Sequence, residues 1–143
     1  MVENRMEIKE RPKIGIGSLV VRDGKILIGK RLHGHGAGTF QIPGGHLEFG
    51  ETLEECAIRE ATEECGLTDF EVGGVVSISN DIHYDKHYVS IGILLISKSG
   101  EPFNTKEGEA DWYWCDPKDI PKNFFPHSMK VIENYLSGKI YNS

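Results

Sequence analysis

Residues 52–65 carry the clearest structural pattern in the chain, because their end residues and their apolar spacing all indicate one α-helix. Thr52 and Glu55 have the spacing of a capping box, and Gly66 stands where glycine commonly ends a helix. Apolar residues recur on one side of this helix, as they do in helices that pack on a core. These residues are Leu53, Cys56, Ala57 and Ala61. We therefore predict a core-facing helix over 52–65.

Two glutamates fall within this apolar stripe, and a third lies beside it. At about 100° per residue, Glu60 and Glu64 project into the stripe and Glu63 flanks it. Burying unpaired carboxylates is costly, and the single neighbouring Arg59 cannot neutralise all three. Carboxylate oxygens at this spacing suit a hard divalent cation such as Mg²⁺ or Mn²⁺. The helix therefore predicts a divalent-metal site.

The alternative is a solvated acidic face that is paired with Arg59 and Arg31. It requires the helix to be buried on a different side, through Ile58 and Thr62, and those two residues would make a poor core. The position of the glutamates on the apolar stripe favours the metal site.

Strands are predicted before and after this helix. Residues 14–21 and 26–29 flank the turn signal Asp23-Gly24 and indicate a hairpin. The glycine-rich stretch 34–45 is predicted to be a loop whose backbone approaches another group closely. Further strands are predicted at 72–79, 88–96 and 111–115. A second amphipathic helix follows over 129–136. This order indicates an α/β chain with a mixed sheet covered by helices.

The composition narrows the class of protein. A chain of 143 residues that is 38% hydrophobic can bury one core without disulfides, so residues 1–143 are predicted to form a single domain. The net charge of −6 offers no basic face for nucleic acid, and we find neither a signal peptide nor a membrane-spanning run. Cys56, Cys65 and Cys115 form no Cys-x-x-Cys pair and are predicted to be reduced thiols. We expect a cytoplasmic protein with no nucleic-acid or membrane partner.

Residues 45–67 resemble the Nudix box at every polar and glycine position. The matching residues are Gly45, Glu51, Arg59, Glu60, Glu63, Glu64 and Gly66. Ala61 is a conservative difference from the pattern, since the family more often has a larger aliphatic residue at this position. The similarity extends over about 12–136. Its segments Gly29-Lys30-Arg31, 36–51, His87-Tyr88-Val89-Ser90 and Trp112-Tyr113-Trp114 look like the nucleoside-triphosphate diphosphatase branch of MutT-homologue type.

The resemblance implies an α/β/α sandwich around a mixed sheet and hydrolysis of a nucleoside diphosphate linked to a further group. It also implies that Glu60 and Glu64 ligate Mg²⁺, for which Mn²⁺ can substitute. Glu63 would be a further ligand or the general base, and Gly45 would offer its carbonyl oxygen.

Other residues of the site follow from the same resemblance. Arg59 and Glu51 would belong to the catalytic group by orienting the glutamates. In many members a glutamate outside the box completes the metal site. Glu107, our candidate for this ligand, and Glu109 both lie in the matching loop, and the choice between them stays open.

The predicted substrate contacts are Arg31, Gly44, Phe40 and Phe125. Arg31 can donate two parallel bonds to a phosphate, the alternative being an ordinary surface arginine. Four aromatic residues can stack on a base, and one or two of them are expected to line the pocket. These are Phe40, Phe125, Tyr88 and Trp114.

We predict an Mg²⁺-dependent pyrophosphohydrolase that cleaves (deoxy)nucleoside triphosphates to monophosphate and pyrophosphate. A role in nucleotide-pool sanitation follows from the resemblance alone. The first alternative is a nucleoside-diphosphate-sugar hydrolase acting on ADP-ribose. The box cannot exclude it, because the box recognises only the pyrophosphate, which both kinds of substrate contain. The second is a non-catalytic nucleotide-binding module, a state that family members usually reach by losing a glutamate. The resemblance is compatible with a homodimer, which no sequence feature establishes.

Overall fold

The computed structural model describes residues 10–83, 85–103 and 110–142. Its elements are β1 (Lys13–Arg22), β2 (Lys25–Arg31), β3 (Phe40–Gln41), β4 (Gly44–His46), α1 (Leu53–Cys65), β5 (Phe70–His83), β6 (Lys86–Ser97), β7 (Ala110–Cys115) and α2 (Pro126–Ser137). A short 3₁₀ helix, Pro117–Asp119, precedes α2. Neither α-helix in the described ranges has the length and apolar character needed to cross a membrane.

The strands form one mixed sheet with the order β3-β2-β1-β6-β5, to which β7 adds on β2 and β4 adds on β1. β1 and β6 run parallel, and the other pairs are antiparallel. β1 changes its partner along its length, because residues 15–17 pair with β4 whereas Val21 and Arg22 pair with β2. This exchange places the short glycine strand β4 beside α1.

The two helices cover opposite faces of the sheet. Because side chains alternate along a strand, β1 sends Ile16 and Val20 into the core under α1 and Leu19 into the core under α2. The helix residues that close these cores are Cys56, Ala57, Ala61 and Cys65 on α1 and Val131 and Ile132 on α2. The predicted α/β/α sandwich with a mixed sheet is therefore confirmed.

The glycine-rich stretch 34–45 is only partly the loop that we predict. β3 and the first two residues of β4 lie within it, although glycine disfavours strands. A Cβ at Gly44 would stand 2.5 Å from the carbonyl oxygen of Ile16, so only glycine lets these two strands approach this closely. α2 also starts earlier than predicted, at Pro126, because proline is well suited to the first position of a helix.

Candidate active site

α1 holds the box glutamates on a helix with well-defined ends. Its capping box is confirmed: the Glu55 N–H donates to Thr52 Oγ1 at 3.0 Å, and the Thr52 N–H donates to Glu55 Oε1 at 2.8 Å. The apolar stripe is confirmed as well, since its cysteine and alanine residues are buried. The glutamates emerge at the edge of this core. The Glu60 side chain is only 14% exposed, whereas that of Glu63 is 60% exposed.

Arg59 is the centre of a carboxylate cluster. It forms a bidentate salt bridge with Glu51, in which Nη2 donates to Oε1 at 2.7 Å and Nε donates to Oε2 at 3.0 Å. Its Nη1 lies 3.2 Å from Glu60 and 3.4 Å from Glu63, and Nη2 lies 3.7 Å from Glu48. The hydrogen bonds from Arg59 and from the Glu48 backbone lower the pKa of Glu51 to about 2. The same pair raises the pKa of Arg59 above its ordinary range.

The β4 backbone lies against these carboxylates. The Gly44 N–H donates to Glu64 Oε2 at 3.2 Å, and Arg59 Nη2 donates to the His46 carbonyl oxygen at 3.3 Å. A Cβ at position 45 would collide with the carboxylate of Glu60. Gly45 is therefore the residue that allows the glutamates to meet the β4 backbone.

The donor chemistry of this cluster fits a hard cation. Four carboxylates, those of Glu48, Glu51, Glu60 and Glu63, surround one guanidinium, which leaves an excess of negative charge. Within the described residues, no three or more His, Cys, Asp or Glu side chains are already gathered at metal-ligand spacing. The oxygen-only set still matches the ligands that Mg²⁺ and Mn²⁺ prefer.

A cleft of about 540 Å³ opens beside these residues, between β4, β6 and the start of α2. Its polar and aromatic lining residues are Arg31, Gln41, His46, Glu64, Lys86, Tyr88, Ser90, Phe125, His127 and Ser128. Among the predicted substrate contacts, Arg31, Gly44 and Phe125 line it. Phe40 does not, because its ring packs on Phe124 at 5.9 Å between centroids.

Arg31 is held in a fixed orientation at the wall of the cleft. Its guanidinium carbon lies 5.0 Å from the centroid of the Phe125 ring, and Nη1 donates to Gln41 Oε1 at 3.0 Å. Of the remaining aromatic candidates, Tyr88 lines the cleft, whereas Trp114 lies under Arg22. Two of the four aromatic residues therefore line the pocket, in agreement with the expectation of one or two.

Sequence reasoning missed the polar groups at the other end of the cleft. His127 lies next to Pro126 in the first turn of α2, and its Nδ1 is 2.9 Å from Oδ2 of the buried Asp81. A proline-histidine pair at a helix start was the available signal for His127, and it is a weak one. Glu107 and Glu109 lie outside the described residues.

Comparisons with known proteins agree with this geometry. The NUDIX domain family model matches residues 11–135. The chain is 34% identical over 134 residues to a Methanocaldococcus jannaschii protein named ADP-ribose pyrophosphatase, covering 90% of this chain and 75% of that protein. It is 29% identical over 105 residues to the Escherichia coli 8-oxo-dGTP diphosphatase, covering 70% and 78%. The crystal structure of a MutT NUDIX hydrolase from Burkholderia pseudomallei has a TM-score of 0.75 at 29% identity, covering 87% of this chain and 98% of that one.

The region matched by the family model contains the box, both cores and every cleft residue named above. Nudix hydrolases generally use a divalent metal, and the oxygen donors on α1 are of the type that such a metal prefers. Since the match spans most of the sequence and the relatives carry pyrophosphatase names, the chain belongs to the Nudix hydrolase family.

Proposed function

We propose that this protein is an Mg²⁺-dependent pyrophosphohydrolase that cleaves a (deoxy)nucleoside triphosphate to the monophosphate and pyrophosphate. The observation that carries the proposal is the continuity of the cleft, which joins Glu64 and the Gly44-Gly45 backbone to aromatic and polar side chains. A phosphate chain with its cation fits the first end, and a planar base fits the second. The volume of the cleft is also typical of small-molecule sites.

Glu60, Glu63 and Glu64, together with the carbonyl oxygen of Gly45, would hold the cation. When bound, Mg²⁺ supplies positive charge that neutralises the phosphoryl oxygens and helps to orient the attacking water. Mn²⁺ has the same preference for oxygen ligands. Glu107 is our candidate for a further ligand.

The remaining box residues, Glu51 and Arg59, hold the carboxylates of Glu60 and Glu63 in position. Glu51 fixes the guanidinium of Arg59 through two bonds, and this guanidinium in turn holds Glu60 and Glu63. Glu63 is our candidate for the general base, because its carboxylate is 60% exposed and therefore accessible to water. Arg59 and Glu51 then act as positioning residues.

Substrate binding falls to the wall of the cleft. Arg31 presents a planar fork that can donate two bonds to a phosphate, and Phe125 and Gln41 hold the plane of that fork. Stacking between Arg31 and Phe125 lowers the entropy that is lost on binding. Gly44 lets the backbone approach the phosphates without a side chain in the way.

A nucleoside-diphosphate sugar such as ADP-ribose is the second candidate substrate. It is favoured by the relative named ADP-ribose pyrophosphatase, which is 34% identical to this chain over an alignment that covers 90% of the sequence. A non-catalytic module is disfavoured, because Glu60, Glu63 and Glu64 are all present. We also propose that the chain forms a single domain and that the protein is located in the cytoplasm.

The test is release of pyrophosphate and phosphate, with Mg²⁺ and with chelator, from canonical and oxidised nucleoside triphosphates, ADP-ribose and 5′-triphosphorylated RNA. We expect pyrophosphate from a triphosphate, abolished by chelator and by Glu64→Gln. Glu133→Gln, on the exposed face of α2, is the matched control and should retain full activity. Turnover of ADP-ribose alone would show that the substrate is a sugar nucleotide and would refute the assignment of a triphosphate. No turnover of any compound would refute the proposal that the protein is an enzyme.

A further inference from the structure

A buried ion pair lies where β5, β6 and the first turn of α2 meet at the cleft. The side chain of Asp81 is only 5% exposed, and its Oδ2 accepts from Ser79 Oγ at 2.9 Å and lies 2.9 Å from His127 Nδ1. Its Oδ1 lies 3.4 Å from Lys130 Nζ. Burial raises the pKa of Asp81, but the hydrogen bonds from Ser90, Ser79 and His127 outweigh it and lower the pKa below its ordinary value. Asp81 is therefore ionised at neutral pH.

This pair fixes which nitrogen of His127 carries the proton. An ionised carboxylate can only accept hydrogen bonds, so Nδ1 must be the donor. Ser90 Oγ lies 3.1 Å from the same nitrogen, and Nε2 has no hydrogen-bond partner among the described residues. His127 lines the cleft, and its side chain is 44% exposed. In the neutral form of the ring, the proton on Nδ1 leaves Nε2 as a hydrogen-bond acceptor for a ligand.

Two rings, those of His46 and Tyr88, lie between His127 and the β4 backbone that contacts the carboxylates of α1. His46, which follows Gly45, stacks on Tyr88 with centroids 5.5 Å apart. Tyr88 meets His127 edge-on at 5.8 Å, and all three rings line the cleft. A nucleotide with its phosphates at Gly45 would extend its base along these rings towards His127.

We propose that His127 is a specificity-determining residue whose Nε2 accepts a hydrogen bond from the amino or ring N–H group of the nucleobase. Asp81 is the positioning residue that keeps the proton on Nδ1. The inference rests on the proposed function, because that function places a nucleobase in the cleft. A histidine whose proton is fixed in this way distinguishes bases by where they carry a donor.

The test is equilibrium binding of the four canonical deoxynucleoside monophosphates to the full chain at pH 8, followed by NMR titration, with inorganic triphosphate as the base-free probe. His127→Phe keeps an aromatic ring and removes Nε2. We expect about tenfold weaker binding of the preferred monophosphate, the effect of losing one hydrogen bond, and an unchanged affinity for inorganic triphosphate.

Asp81→Asn tests the positioning role. An amide that donates to Nδ1 moves the ring proton to Nε2, so the variant should lose about tenfold in affinity for the same monophosphate and change its order of base preference. Long-range ¹H–¹⁵N spectra of the imidazole report the tautomer directly in both proteins. Ser79→Ala is the matched control, because it removes a bond to Asp81 without touching His127.

The inference is overturned if His127→Phe binds every monophosphate as wild type does, or if no monophosphate binds at all. A wild-type tautomer with the proton on Nε2 overturns it too, as does an equal loss of affinity for inorganic triphosphate. The proposed function fails on a different observation, the absence of pyrophosphate release by wild type, which leaves the binding measurement intact.

Discussion

Replacing Gly45 by alanine should change the geometry of the carboxylate cluster and leave the stability of the fold almost unchanged. The added Cβ would overlap the carboxylate of Glu60, which is the far end of a flexible side chain. The clash is therefore relieved when the carboxylate moves by about 1 Å, with no change in the backbone. A displacement of about 1 Å in a reacting group costs about 100-fold in rate. We expect kcat to fall by that factor while Tm stays within about 2 °C of wild type.

Gly44→Ala is the matched control, because its Cβ meets backbone instead of a side chain. It would stand 2.5 Å from the Ile16 carbonyl oxygen and 3.3 Å from Gly17 Cα, both fixed in the β1 ladder. Overpacking of this kind costs about 1–3 kcal/mol, or about 3–9 °C in Tm. The measurements are kcat on the best triphosphate and Tm by calorimetry. A Gly45→Ala variant with wild-type kcat, or with a loss of Tm as large as that of Gly44→Ala, would refute the reasoning.

Three further predictions concern stability and reactivity. Burial raises the pKa of Cys56 to about 12 and that of Cys65 to about 11, so neither thiol should react with Ellman's reagent in the native protein at pH 8, whereas both react in guanidinium. Thr52→Ala removes the N-cap of α1 and should lower the free energy of unfolding by about 1 kcal/mol in urea titrations; no change would mean that the cap contributes nothing. Because the folded pKa of Glu51 lies at about 2, below its ordinary value of 4.5, the stabilisation of the fold by ionised Glu51 is complete above pH 4.5 and is lost as the pH falls towards 2. Glu51→Gln should therefore flatten the acid-unfolding curve in that window, and a curve parallel to wild type would contradict the role of Arg59.

Structural features that depend on residues close together in the sequence could be predicted here, whereas features that depend on contacts between distant residues could not. The caps, stripe and glutamate spacing of α1 all lie within fifteen positions, so the helix and its carboxylates are predictable. β4 is not, because Gly44 and Gly45 become a strand only through the partner that β1 offers. Asp81 and His127 are 46 positions apart, and only the fold brings them together.

Phe40 shows a different limit. An aromatic residue in a glycine-rich stretch is typical of a ligand contact, and the sequence contains no sign that Phe124 will lie against it. The contact forms because residues on either side of Phe124 pair with the β3 backbone, the Phe40 N–H donating to the Asn123 carbonyl oxygen and the Phe125 N–H donating to that of Phe40. Long-range backbone pairing therefore decides which of two neighbouring aromatic residues, Phe40 or Phe125, reaches the cleft.

The distances around Arg59 explain why one guanidinium can serve several carboxylates. Charge-assisted N–H···O bonds are normally about 2.7–2.9 Å long, so only Glu51, at 2.7 and 3.0 Å, is held at near full strength. Glu60 at 3.2 Å and Glu63 at 3.4 Å share the remaining Nη1, and these are the residues that we assign to the cation and to the base. The strong pair anchors the guanidinium, and the two weak contacts can be exchanged for a cation at little cost. A lysine has no fork and could not hold Glu51 by two parallel bonds while reaching Glu60 with a third donor. The box therefore requires arginine at this position for its geometry as well as for its charge.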